Sequence, residues 1–169
     1  EGVIISQGGA YAGWSLYLEG GRPTYCYNLF GVREFHTRGD TPLPAGEHQV
    51  RMEFAYDGGG LGKGGAVTLY VDGAASAEGR VDATVPMVFS ADETCDVGSD
   101  TASPVSSDYT SAGSRFTGKV EWVQIDTDEA AVSKREADVL VREQNVDARE
   151  QAVTAREQAV EASGRLAPL

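Results

Sequence analysis

A chain of 169 residues with 41% hydrophobic residues, 21 glycines and 7 tyrosines has the material for one turn-rich domain with a core, plus an appendage. Its net charge of −12 repels phosphate backbones and argues against nucleic acid as a partner. No apolar run nears the roughly 18 residues of a membrane-spanning helix.

The charge is uneven: residues 1–126 carry 17 acidic and 8 basic side chains, and residues 127–169 carry 9 and 6. The opening EGVIISQGG starts inside a strand-like run without a Met or a leader, as expected of a piece of a longer polypeptide. Two cysteines, Cys26 and Cys95, are too few to make a metal cluster by themselves. They fit two buried thiols better than one disulfide, and the compartment stays open.

In chain order, residues 3–6 read as a short strand, followed by a turn region over 7–13. Trp14, Leu16 and Leu18 then alternate with Ser15, Tyr17 and Glu19. Gly20-Gly21 turns the chain, and Tyr25, Tyr27 and Leu29 continue the return strand. Residues 33–37 form another short strand, and TPLPAG (41–46) a proline-shaped loop.

The strongest pattern lies at residues 47–81. Val50, Met52, Phe54 and Tyr56 alternate with polar or small residues, which is the period of two of a half-buried strand. The glycine-rich turn 57–65 reverses the chain, and Val67, Leu69 and Val71 alternate again. Asp72-Gly73 is a strong two-residue hairpin signal leading into a third strand at 77–81. Residues 84–90 (TVPMVFS) read as a further strand, at a sheet edge because of Pro86. Residues 91–113 form a long polar loop with at most a short strand at 95–98, and a long loop in a compact domain is usually functional or packs on a neighbour. RFTGKVEWVQID (115–126) reads as the strand that closes a sandwich.

At Asp126 the period changes. Asp126 with Glu129, or Thr127 as the cap, opens a helix, and from Arg135 a seven-residue repeat runs READVLV, REQNVDA, REQAVTA, REQAVEA. Ala148, Ala152, Ala155, Ala159 and Ala162 form a narrow stripe flanked by Val139, Val146, Val153 and Val160. The helix is expected over 127–163, with a tail at 164–169. Three uses fit this stripe: a coiled coil with another chain, and so a homo-oligomer; a helix laid along a partner domain; or a charged helix in solvent.

Four stretches carry a resemblance: GWSLYLEGGRPTYCYNLFG, EFAYDGGGLGKGGAVTLYVDG, VPMVFSADETCDVG and FTGKVEWVQID. Together they resemble the C-terminal module of bacterial arylsulfatases, an antiparallel jelly-roll β-sandwich similar to concanavalin-A-like and laminin-G-like domains. The resemblance covers residues 1–126 and leaves the helix outside it. It implies a sulfuric ester hydrolase as the parent, whose catalytic domain this module would contact within the same chain. The family's C/S-x-P-x-R motif is absent: Cys26 is followed by YNLF and Cys95 by DVGS. The expectation is therefore a non-catalytic accessory domain. Its rivals are a lectin-like module for sulfated glycans and an assembly module acting through the helix.

Other constellations are weaker. DGGGLGKGG fails as a phosphate cradle, since Lys63 is followed by Gly64 and then by a strand rather than a helix. Lys63 and Tyr109 are expected as substrate or domain contacts. Asp92, Asp96 and Asp100, in a loop that also holds Glu93 and Asp108, are oxygen donors for a calcium ion, against the blander reading of turn-forming aspartates. Glu121 and Asp126 lie five apart on opposite strand faces, unsuited to glycoside hydrolysis. His36 and His48 have no Ser or Cys motif to complete a triad. Among Trp14, Tyr17, Tyr25, Tyr27, Tyr70, Tyr109 and Trp122, core packing is expected before a sugar platform.

Overall fold

A computed structural model describes residues 1–90 and 94–127. Eight strands follow one another: β1 (Gly2–Gly8), β2 (Gly13–Glu19), β3 (Arg22–Leu29), β4 (Arg33–Arg38), β5 (Val50–Tyr56), β6 (Gly65–Val71), β7 (Ala74–Val81) and β8 (Cys95–Val97). They build two antiparallel sheets, one ordered β4-β3-β2-β1-β8 and the other β5-β6-β7. No helix occurs among the described residues. Contacts divide the chain into Glu1–Val123 and Gln124–Leu169. Of the second unit only residues 124–127 are described, where the Gln124 amide donates to the Asp126 carboxylate. The expected helix over 127–163, its oligomer and the tail fall almost wholly outside the described residues.

Two hairpins turn as their glycines require. Gly20 and Gly21 hold φ at 56° and 72°, and Asp72 and Gly73 at 50° and 83°. This paired left-handed turn matches the right-handed twist of the flanking strands. The alternations of β5 and β6 pair in register, with Phe54 opposite Val67 and Met52 opposite Leu69.

The two sheets enclose one apolar core. Ile5, Leu16, Tyr25, Tyr27 and Phe35 come from the larger sheet, and Val67, Leu69 and Val81 from the smaller. Burying an aliphatic side chain of this kind contributes about 1.5–3 kcal/mol.

In the larger sheet both faces are covered. A register shift between Val3 and Ile5 sends Val3 to the outer face opposite Tyr17, and Ile5 to the core face opposite Leu16. Strand β3 is buried at six consecutive positions, Pro23 to Asn28. On the outer face Val3, Tyr17 and Cys26 form a second buried cluster, against which Tyr109 of the following loop packs.

Two expected strands are absent. Residues 84–90 form a strap, with their amides going singly to scattered acceptors: Val85 to the Tyr27 hydroxyl at 2.9 Å, and Ser90 to the Ala12 carbonyl at 3.1 Å. Pro86 has no amide to give, and Val85 and Phe89 pack inward while Met87 and Val88 face solvent. Residues 115–126 are likewise irregular. They reach the edge of β1 only at its start, where the Val3 amide donates to Ser114 and the Glu1 carbonyl accepts from Thr117, because residues 5–7 of that edge pair with β8. Trp122 is exposed, and Val123 packs against the core.

Candidate functional site

The outer face of the larger sheet gathers the chain's chemistry-bearing side chains. Because β3 and β4 pair in register, Cys26 stands opposite His36, and Glu34 lies two residues before His36 on the same face. One donor atom from each of Cys26, Glu34 and His36 lies within 4.8 Å of the other two, the one such three-residue group among the described residues.

The polar loop closes over this face. Its path is nailed down residue by residue: the Ala10 amide donates to Ser103, Asn28 donates to the Val105 carbonyl at 2.7 Å, and the Ser107 amide and hydroxyl donate to Glu34. Ser106 Oγ stands 3.2 Å from both Tyr17 Oη and His36 Nε2. Asp108 accepts from the Tyr17 hydroxyl and from Arg38, which also donates to Glu19. His36 Nε2 is 3.4 Å from a Glu34 oxygen and 3.4 Å from an Asp108 oxygen.

Burial pushes the Cys26 thiol up to about 12, with Ser106 opposing the shift and the Glu34 and Asp108 carboxylates adding to it. The hydroxyls of Tyr17 and Tyr109 are held far above the ordinary tyrosine value, first by burial and then by donating to Asp108 and Asp100. As long as the loop stays closed, these groups act as hydrogen-bond donors, and the thiol is a poor nucleophile.

Tyr109 packs its ring against Tyr17 at 5.1 Å between centroids, with its hydroxyl on Asp100 and 2.9 Å from Ser15. Asp100 is 2% exposed and accepts from the Val105 amide, while Asp96 accepts from the Thr101 amide and hydroxyl. Both aspartates thus bond the local backbone as turn formers do. Asp92 lies outside the described residues.

Lys63 is exposed at the other sheet. Its amide donates to the Tyr56 hydroxyl and its carbonyl accepts from Thr84, which ties the glycine-rich turn to the strap. The loops meeting there expose Leu61, Met87 and Val88, each at least 70% exposed.

Cys95 departs from the expectation of two buried thiols. It is exposed on the edge strand β8, three strands from Cys26 and on the opposite sheet face, and both thiols are free. Strands spaced about 4.8 Å apart put the two well beyond disulfide reach. Tyr25 and Tyr27 are core residues as expected. An exposed aromatic pair that sequence reasoning missed is Tyr11 with Phe30, ring centroids 5.7 Å apart, on neighbouring loops. The Cys26–His36 pairing was also missed. Reading 22–38 as one registered hairpin would have found it.

No known protein family, curated protein or solved structure matches the chain. No helix among the described residues is long and apolar enough to cross a membrane.

Proposed function

We propose that residues 1–126 are a non-catalytic accessory domain of a sulfuric ester hydrolase of the arylsulfatase kind, a jelly-roll-like sandwich that docks on the parent's catalytic domain. The observation that carries this reading is the apolar surface on the two tied loops, where Leu61, Met87 and Val88 face solvent beside Lys63. Exposed apolar side chains grouped in this way mark a protein–protein contact. The C/S-x-P-x-R motif is absent from this sequence, so the chemistry would belong to the parent, with Lys63 at the rim of the contact.

The test begins with the reading frame upstream of Glu1, where a C/S-x-P-x-R motif is expected. In the parent protein, Leu61→Ser with Met87→Ser should then lower the melting temperature of the catalytic domain. A frame without the motif, or a parent indifferent to the double change, sinks the reading.

A lectin-like role is the second reading, favoured by the exposed Tyr11–Phe30 pair, since an aromatic face stacks on a sugar ring. A net charge of −12 opposes sulfated glycans, which ranks this reading second. Retention on a sulfated polysaccharide at physiological salt, lost in Tyr11→Ala, supports it; passage through the column without delay removes it.

A further inference from the structure

On the outer face of the five-stranded sheet, a single imidazole nitrogen lies among three oxygens. His36 Nε2 has a Glu34 oxygen at 3.4 Å, an Asp108 oxygen at 3.4 Å and the Ser106 hydroxyl at 3.2 Å. A ring nitrogen carries at most one proton, so it can donate to only one of the two carboxylates, and without that proton it accepts from the Ser106 hydroxyl. The Cys26 sulfur completes the group, within 4.8 Å of the Glu34 and His36 donor atoms. One nitrogen, one oxygen and one sulfur donor atom are thus gathered in a small space.

We propose that Cys26, Glu34 and His36 form a three-residue binding site for zinc or a similar thiophilic divalent ion, with the fourth position left to solvent. Donor atoms around a tetrahedral zinc, at bond lengths of about 2.0–2.3 Å, stand about 3.3–3.8 Å apart, and the 3.4 Å separation of His36 Nε2 from the Glu34 oxygen falls in that range. A mixed thiolate, imidazole and carboxylate set suits zinc and disfavours calcium and magnesium, which take oxygen ligands. Binding releases the Cys26 proton to solvent, since the thiolate is the ligand.

The scaffold is rigid where it needs to be. Cys26 and His36 are fixed opposite each other by the β3–β4 ladder, and Glu34 is oriented by the Ser107 amide and hydroxyl. Arg38 on Asp108 offsets part of the negative charge beside the site. The side chains of Glu34 and His36 keep 23% and 19% exposure while Cys26 is fully buried, so an ion would enter from the Glu34–His36 side. The ion would bridge the neighbouring strands β3 and β4 beneath the overlying loop.

The experiment is a titration of the full chain with Co²⁺, whose thiolate bonds absorb in the near ultraviolet. One equivalent should give a sulfur-to-cobalt band that Zn²⁺ removes. The band should persist in Cys95→Ser, vanish in Cys26→Ser, and require at least roughly tenfold more Co²⁺ in His36→Gln. His36→Gln retains the thiol and the hairpin, so the test stands even if Cys26→Ser fails to fold. Absence of a thiolate band in the intact chain, its survival in Cys26→Ser, its loss in Cys95→Ser, or an unchanged titration in His36→Gln overturns the site.

Discussion

At the tip of the β6–β7 hairpin, Asp72 holds φ at 50°, a left-handed backbone that Asp and Asn tolerate better than other residues with a side chain. Its carboxylate accepts from His48 Nδ1 at 2.8 Å and from the Gln49 amide at 2.8 Å. The hydrogen bond to Asp72 raises the His48 pKa above 6.5, opposed by desolvation and helped by the Pro44 carbonyl. The same hydrogen bond from His48, with that from Gln49, lowers Asp72 below 3.8. The raised histidine contributes stability that is complete below its unfolded value and lost as pH rises through its folded one. The lowered aspartate contributes stability that is complete above its unfolded value and lost as pH falls through its folded one. The pair thus stabilises fully between about pH 3.9 and 6.5, and fades on either side. Asp72→Asn keeps the tolerated backbone and removes the charge. The His48 imidazole, followed by NMR, should then titrate lower than in the parent chain; an unmoved midpoint would contradict this account.

Among elements, the loop over the outer sheet face is held by polar clamps rather than by an apolar surface. Asp100 is the central clamp: it is buried, its carboxylate accepts from the Val105 amide and the Tyr109 hydroxyl, and its amide donates to Ser114. Removing one partner of a buried pair leaves the other unsatisfied, at about 1–3 kcal/mol for each group. Asp100→Ala is expected to cost at least about 2 kcal/mol in denaturant unfolding. It should also expose Cys26, which lies beneath Tyr109, to an alkylating reagent that otherwise takes only the exposed Cys95. Protection of Cys26 as complete in the variant as in the parent would show that the loop has other anchors.

At the scale of the molecule, stability rests on the fit between the two sheets. Gly79 of β7 sits over Thr37 of β4, and a methyl group added there would lie 3.0 Å from Thr37 Cβ and Cγ2 and overlap its hydroxyl. Thr37 is itself buried, so it has little room to yield. Gly79→Ala should destabilise by about 1–3 kcal/mol, the usual cost of overpacking. Measured in a Thr37→Ala background, the same change should cost less, because the two sites share one contact. Equal costs in both backgrounds would mean that the sheets separate freely at this point.

What the sequence determined by itself is local. Alternation placed Val67 and Leu69 in the core, and Gly20-Gly21 and Asp72-Gly73 announced their turns, because a period of two and a left-handed backbone are properties of neighbouring residues. It misread 84–90 and 115–126 as strands, since strand propensity carries no information about whether a sheet edge is available, and residues 5–7 on the edge of β1 were already paired with β8. Nor did it foresee that the polar loop would cover its own sheet and close over Cys26, Glu34 and His36. Those contacts join residues some 70 to 90 positions apart, Ser106 with His36 and with Tyr17 among them. Only tertiary packing decided them, because a hydrogen-bonding side chain finds its partner through the path of the backbone and not through its place in the chain.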